Sequence, residues 1–96
     1  MRDEASGTLV RTLTIANRRG LHARASARFV QCVDSFDADV TVSKDGQSVN
    51  GTSIMGLMML AAGIGSDIRV AVTGPEAEAA MDAIARLVDG RFGEED

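Results

Sequence analysis

The stretch DIRVAVT, residues 67–73, decides the fold class of this chain. Ile68, Val70 and Val72 fall on one face of an extended backbone, and the residues between them fall on the other face. Such a strand has one side against a core and one side toward water. This pattern is typical of an antiparallel or mixed sheet that is covered on a single face.

Three further strands are predicted before this one. Residues 8–15 (TLVRTLTI) and 38–44 (ADVTVSK) both alternate between apolar and polar side chains. The pair Asp45 and Gly46 is favoured in a two-residue hairpin turn, and it leads into a short strand at residues 47–50. The sequence therefore predicts a four-stranded sheet.

Helical patterns fill the intervals between the strands. Residues 23–36 carry an amphipathic apolar stripe. Residues 75–90 begin with Pro75, which suits the first helical position, and stop at Gly90. With a middle helix at residues 53–63, the order βαββαβα predicts an open-faced two-layer α+β sandwich with three helices on one face.

The middle segment, SIMGLMMLAAG, has no charged residue and two apolar faces. One predicted face holds Ile54, Leu57, Met58 and Ala61, and the other holds Met55, Met59 and Ala62. A helix on a sheet with one covered face cannot easily be buried all round, so we expect part of this methionine-rich surface to be exposed. A fully buried core helix is the alternative. Methionine suits an adaptable contact surface, which favours exposure.

The length of 96 residues predicts a single domain, 1–96, with a core at about 8–90 and short tails. The charged tail RFGEED, residues 91–96, is expected to fray. A net charge of -4 and the presence of only three aromatic residues disfavour binding to nucleic acid.

Targeting and metal signals are weak. The first twenty residues have no apolar signal segment, and the apolar run at about 54–64 is too short to span a bilayer, so we expect a cytoplasmic protein without membrane insertion. Cys32 falls on the apolar stripe of the first helix and is interpreted as a small hydrophobe rather than a nucleophile. With one histidine and one cysteine, no metal site and no cofactor are predicted.

His22 lies at the predicted start of the first helix, in the stretch RRGLHARAS, residues 18–26. Backbone N–H groups of Ala23, Arg24 and Ala25 would point out of the helix start, where an anion is stabilised. The Arg24 guanidinium could hold phosphate oxygens in a fork, and the positive helix end would favour a neutral ring with a lone pair for attack on phosphorus. A surface residue or a poor helix cap is the simpler alternative.

Ser53 precedes the middle helix in NGTSIMG and has two interpretations. It could be the N-cap of that helix. A phosphate on Ser53 would also be stabilised there and would place negative charge beside the apolar surface, which would make Ser53 a switch for partner docking.

Taken together, GLHARAS and NGTSIMGLMML resemble the histidine-containing phosphocarrier protein (HPr) family of the phosphoenolpyruvate-dependent phosphotransferase system, including its nitrogen-related NPr branch. The similarity runs from about Leu9 to Leu87. The resemblance implies that the protein is a phosphoryl carrier rather than an enzyme. It implies that His22 accepts a phosphoryl group at Nδ1 from phosphorylated enzyme I and passes it to an enzyme IIA component, in sugar transport or in regulation.

The resemblance also implies roles for neighbouring residues. Arg24 matches the arginine that stabilises the phosphoryl group, and Asn17 matches a position that often supports the site. Ser53 matches the serine that an HPr kinase/phosphorylase modifies in some bacteria. The residues expected to dock on partners are Ile54, Met55 and Met58. Ala25 departs from the usual GLHARPA pattern, and because proline would fix the first helical turn, its absence is expected to loosen the anion site slightly.

Three functional hypotheses follow. The first is the phosphocarrier with His22 as acceptor and donor, expected to be a monomer because it alternates between partners. The second is a regulatory binding protein of the same fold that is controlled by phosphorylation of Ser53. The third is an unrelated α+β domain that senses a small ligand, which would require both motifs to be coincidental.

Overall fold

A computed structural model describes residues 2–3 and 7–94. The strands are β1 (Arg2–Asp3), β2 (Thr8–Thr14), β3 (Asp39–Lys44), β4 (Gln47–Asn50) and β5 (Asp67–Thr73). The helices are α1 (Ala23–Asp34), α2 (Ile54–Met59) and α3 (Ala77–Asp89), followed by a short 3-10 segment at Arg91–Gly93. None of the helices in the described ranges is long and apolar enough to cross a membrane.

The strands form one sheet in the order β1-β2-β5-β3-β4, and each neighbouring pair is antiparallel. The four predicted strands are present, and the open-faced α+β sandwich is confirmed. β1 adds a fifth, edge strand that pairs Arg2 with Leu9 and Asp3 with Thr8. Two residues are too few to show an alternating pattern, which explains why the sequence did not predict β1.

The central strand β5 has the predicted alternation. Ile68, Val70 and Val72 are fully buried, whereas Asp67 and Arg69 are exposed. The helices supply the rest of the core over this covered face, and their largest fully buried side chains are Phe29, Val33, Leu57, Ile84 and Val88.

The apolar stripe of α1 is confirmed at its centre. Ala25, Phe29 and Val33 are buried, and Cys32 is half-buried. Burial raises the pKa of the Cys32 thiol, which disfavours the reactive thiolate and agrees with the interpretation of Cys32 as a small hydrophobe. Ser26, also buried, donates from its Oγ to the carbonyl oxygen of Leu21 at 3.1 Å, so the loop before α1 is tied to its first turn.

The middle helix is shorter than predicted, and the two predicted faces are wrong. α2 ends at Met59 because the chain turns at Ala61, whose φ is 53°. Leu57 is buried, whereas Met58 on the same predicted face is 39 % exposed. In a helix of only six residues, burial follows the one side that meets the core rather than a repeating stripe. The predicted exposure of the methionine-rich surface is confirmed, and the alternative of a fully buried helix is wrong.

The start of α3 also differs from the prediction. The helix begins at Ala77 with Glu76 as N-cap, so Pro75 is not the first helical residue. Glu76 instead pairs with the loop before β3: its N–H donates to the carbonyl oxygen of Asp37 at 3.0 Å, and its Oε1 accepts from the N–H of Asp37 at 2.7 Å. These bonds hold Glu76 outside the helical conformation.

Residues 91–94 do not fray, so the expectation of a frayed tail is wrong for this part of the segment. Phe92 is fully buried, so the core extends beyond residue 90. Arg91 and Phe92 have φ of 58° and 55°, a left-handed conformation that costs roughly 1–2 kcal/mol for a residue with a side chain. Burial of a phenylalanine ring is worth about 1.5–3 kcal/mol and offsets much of that cost. The sequence RFGEED does not indicate the burial of Phe92, because a single phenylalanine among charged residues forms no apolar pattern. Residues 95–96 lie outside the described range.

We expect Phe92→Ala to lower the free energy of unfolding by about 3–5 kcal/mol, because it empties a fully buried site. Urea denaturation followed by circular dichroism measures this loss. Phe36→Ala is the control, since Phe36 is only half-buried and should cost less. An equal or smaller loss for Phe92→Ala would contradict the assignment of this segment to the core.

Candidate functional site

The loop between β2 and α1 is held against the loop that follows α2. The N–H of Ile15 donates to the carbonyl oxygen of Ser66 at 2.8 Å, and the N–H of Leu21 donates to the carbonyl oxygen of Ala62 at 2.9 Å. Gly20, with φ of 65°, makes this approach possible. A Cβ at Gly20 would lie 2.8 Å from the Cα of Gly63 and closer still to the carbonyl oxygen of Ala62.

His22 follows directly and occupies the N-cap position of α1, with extended backbone and no capping bond from its side chain. The first helical hydrogen bond runs from the N–H of Ser26 to the carbonyl oxygen of His22 at 2.9 Å. The N–H groups of Ala23, Arg24 and Ala25 therefore precede the helical hydrogen-bond ladder and are directed out of the helix start. The imidazole side chain is 18 % exposed beside these groups.

Glu94 reaches the imidazole from the C-terminal end of the described chain. Its Oε2 is hydrogen-bonded to Nε2 of His22, and its Oε1 accepts a hydrogen bond from Nδ2 of Asn17 at 3.0 Å. Nδ2 of Asn17 also donates to the carbonyl oxygen of Gly20 at 2.8 Å. Asn17 is fully buried and links the loop to Glu94, and its support of a phosphate site stays a prediction.

The protonation of the Glu94 carboxyl is determined by its burial and by its neighbours Asn17, His22 and Arg19. Burial raises the pKa of the Glu94 carboxyl, but the hydrogen bonds from Asn17 and His22 and the positive charges of His22 and Arg19 outweigh it. The net pKa of Glu94 is lowered, so the group is a carboxylate at neutral pH. The sequence-based expectation of a neutral ring considered only the positive helix start and did not include the Glu94 carboxylate that is bonded to Nε2.

Arg24 is exposed in the first turn of α1, one residue beyond Ala23, and the side chain of Ala25 is fully buried. A shallow depression opens beside the ring, and His22, Arg19 and Met58 lie on its wall. Its other lining residues are Leu21, Ala61, Ala62 and Gly63. The apolar surface of α2 is thus continuous with the imidazole.

Ser53 is the N-cap of α2, since its Oγ accepts a hydrogen bond from the N–H of Gly56 at 2.9 Å. The simpler interpretation of Ser53 is therefore confirmed, and its phosphorylation stays a prediction. The three residues expected to dock on partners are exposed: Ile54 by 40 %, Met55 by 68 % and Met58 by 39 %.

Sequence reasoning missed two members of this neighbourhood. Glu94 is separated from His22 by 72 positions and lies in a stretch that was expected to fray, so no local pattern connects the two. Arg19 belongs to the loop before α1 and lines the same depression as the ring, although the sequence pattern assigns it no role there. Within residues 7–94, no group of three or more histidine, cysteine, aspartate or glutamate side chains could hold a metal ion.

Comparison with known proteins identifies the family. The protein-family model described as PTS HPr component phosphorylation site matches residues 9–89, which include His22 and the whole of α2. The chain belongs to the HPr family. Its function is accordingly that of a phosphocarrier of the phosphotransferase system, and it is a carrier rather than an enzyme.

Named relatives agree with this assignment. The phosphocarrier protein HPr of Cupriavidus necator is 50% identical over 86 residues, which cover 90% of this chain and 97% of that protein. The phosphocarrier protein NPr of Shewanella violacea is 41% identical over 86 residues, covering 90% of this chain and 94% of that protein. Among solved structures, HPr-C-His from Thermoanaerobacter tengcongensis superposes with a TM-score of 0.87 at 39% identity and covers 92% of this chain and 99% of that one.

The same comparisons bear on the other hypotheses. An HPr dimer from Thermoanaerobacter tengcongensis is also similar, with a TM-score of 0.72 at 39% identity, covering 85% of this chain and 94% of that one. Dimers therefore occur among structural neighbours of this chain.

The hypothesis of a regulatory protein without phosphoryl transfer is not favoured by the family match. The two sequence motifs both fall inside that match, so their pairing is no coincidence.

We expect Gly20→Ala to destabilise the protein more than Gly46→Ala does. Both glycines have positive φ, and a left-handed alanine costs roughly 1–2 kcal/mol at each. A Cβ at Gly46 meets open space, whereas at Gly20 it meets the backbone of Ala62 and Gly63. Urea denaturation of both variants measures the difference. Equal losses would show that the two loops are not in tight contact.

Proposed function

We propose that His22 is the phosphoryl acceptor and donor of this phosphocarrier, and that the reaction occurs at Nδ1. The observation that carries the proposal is the contact between Nε2 of His22 and the Glu94 carboxylate. A carboxylate only accepts hydrogen bonds, so the proton of a neutral ring resides on Nε2. Nδ1 is then the nitrogen with an available lone pair.

The chemistry requires a site that holds phosphate without holding it tightly. The N–H groups at the start of α1 supply oriented donors and the positive end of the helix dipole, an interaction worth roughly 0.3–1 kcal/mol at an exposed terminus. Arg24, in the first turn of the helix, can bind two phosphate oxygens with its guanidinium. Modest stabilisation allows the group to leave as readily as it arrives.

The partners are proposed as phosphorylated enzyme I and an enzyme IIA-type acceptor. Both have to bring a phosphoryl group or its acceptor to His22, and the exposed side chains of Ile54, Met55 and Met58 provide an apolar surface beside it. Use of one surface for successive partners favours a monomer during transfer. We place this activity in the cytoplasm, in either the sugar-transport or the nitrogen-related branch.

Phosphorylation of Ser53 by an HPr kinase/phosphorylase is a compatible regulatory step. Ser53 lies directly before Ile54, so a phosphate there would add negative charge at the edge of the apolar surface. This would weaken docking without involving the imidazole.

The direct test supplies phosphoenolpyruvate and enzyme I and measures the phosphate retained by the protein. We expect one phosphate that is labile to acid and stable to alkali, because a P–N bond to imidazole has this behaviour, and we expect its loss in His22→Ala. Ser53→Ala is the matched control and should keep the label. An acid-stable label, or a label that survives in His22→Ala, would refute His22 as the acceptor.

We expect Arg24→Ala to slow transfer from enzyme I by roughly 10- to 100-fold, because charge-assisted hydrogen bonds to phosphate are worth about 1.5–3 kcal/mol. Arg24→Lys should recover only part of the rate, since lysine keeps the charge but lacks the planar fork. Rapid-quench kinetics measure both variants. Arg86→Ala, an exposed arginine on α3, is the control and should transfer at the normal rate. Equal transfer rates for Arg24→Ala and Arg86→Ala would refute a role of Arg24 in stabilising the phosphoryl group.

A further inference from the structure

The segment from Arg91 to Glu94 adopts a backbone that is unfavourable by itself. Arg91, Phe92 and Gly93 have φ of 58°, 55° and 75° in succession. Two of the three residues have side chains that disfavour this left-handed region. A costly conformation persists only where its surroundings enforce it, and such conformations occur frequently at functional sites.

Two contacts enforce the conformation here. Phe92 is fully buried in the core, and Nη1 of Arg28 on α1 donates a hydrogen bond to the carbonyl oxygen of Phe92. A side chain at Gly93 would place its Cβ 2.9 Å from the same Arg28 nitrogen, so the segment follows α1 closely. The result is that the next residue, Glu94, is delivered to the imidazole at the start of α1.

Glu94 is fixed through both carboxylate oxygens. Oε1 accepts from the buried amide of Asn17 at 3.0 Å, and Oε2 is bonded to Nε2 of His22. Its side chain is only 12 % exposed. A carboxylate held in this way orients the imidazole and selects one of its tautomers, as carboxylates do for metal-binding histidines.

We propose that Glu94 is a positioning residue that keeps the proton on Nε2 of His22 both before and after the ring is phosphorylated. The proposal rests on the proposed function, in which Nδ1 of His22 carries the phosphoryl group. It extends that function by assigning to the C-terminal segment a role at each stage of the transfer.

The transfer balances without any movement of the Nε2 proton. The Nδ1 lone pair forms the N–P bond while the bond from phosphorus to the donor group breaks, and the donor keeps that electron pair. The ring then carries a positive charge with hydrogen on Nε2, opposite the Glu94 carboxylate. In the onward step the N–P electron pair returns to Nδ1, so the leaving group is a neutral imidazole that still has its Nε2 proton.

The charged groups around the ring come from the loop before α1, from α1 and from the C-terminal segment that contains Glu94. The loop before α1 contributes Arg19, and α1 contributes Arg24 in its first turn and Arg28, which is bonded to the carbonyl oxygen of Phe92. α2, on the remaining side, consists of apolar residues and glycine from Ile54 to Met59 and has no titratable side chain. The arginines favour the phosphoryl dianion, whereas Glu94 favours the positive ring.

The first test reads the ring directly in the unphosphorylated protein. Long-range ¹⁵N NMR of His22 should show a protonated Nε2 and an unprotonated Nδ1 above neutral pH. In Glu94→Ala we expect the two nitrogen signals to move toward each other, because both tautomers become populated. Glu94→Gln should retain the wild-type tautomer, since its amide oxygen still accepts the hydrogen bond.

The second test follows the phosphorylated protein. The pH profile of phosphate hydrolysis should move to lower pH in both Glu94→Ala and Glu94→Gln, because the positive ring loses its carboxylate and gives up the Nε2 proton more easily. Transfer from enzyme I should slow by roughly tenfold in Glu94→Ala, the lower end of the losses seen when a histidine loses its orienting partner. Asp82→Asn, an exposed residue on α3, changes the net charge equally and should leave both measurements unchanged.

The outcomes separate this proposal from the one on which it rests. Wild-type nitrogen signals and an unchanged hydrolysis profile in Glu94→Ala would overturn the role of Glu94. Retention of the acid-labile label in His22→Ala would instead overturn the assignment of the acceptor. A purely structural role for Glu94 predicts equal losses of stability in the alanine and glutamine variants with no change in the ring tautomer, which would also refute the proposal.

Discussion

The close approach of Gly20 and Leu21 to the backbone of Ala62 and Gly63 is the constraint on which the site depends. It uses a hydrogen bond from Leu21 to Ala62 and a glycine with no room for a Cβ. This contact fixes where the chain enters α1 and thus where its unpaired N–H groups point. It also brings the imidazole beside the turn after α2, so the His22 ring and the exposed Met58 side chain share one surface.

The parts of the molecule that were predictable are those whose pattern repeats locally. Alternation in β5 and the stripe through Phe29 and Val33 each span several residues, so burial on one face leaves a period in the sequence. α2 is too short for that, because six residues give barely more than one turn and the burial of Leu57 does not imply the burial of Met58. Helix ends were least predictable, since Glu76 is held outside α3 by a distant loop.

The histidine and its helix start could be recognised from the sequence, but the carboxylate opposite the ring could not. Glu94 meets His22 only because Phe92 enters the core and reverses the chain, and a single phenylalanine among charged residues gives no periodic signal. Asn17 could be placed near the site by resemblance, yet its role as the link between Gly20 and Glu94 depends on the folded C-terminal segment. Long-range contacts of this kind are specified by packing rather than by local composition.

The sheet order carries a consequence for chains that are incomplete. β2 pairs along its length with β5, so Leu9 lies opposite Val72, and the loop that follows β2 rests on the turn at Gly65 and Ser66. Such pairing between distant segments forms only after most of the chain is available. A nascent or truncated polypeptide would contain the histidine but neither its helix entrance nor its opposing carboxylate. Both features therefore require residues 67–94 to be present and folded against β2 and α1.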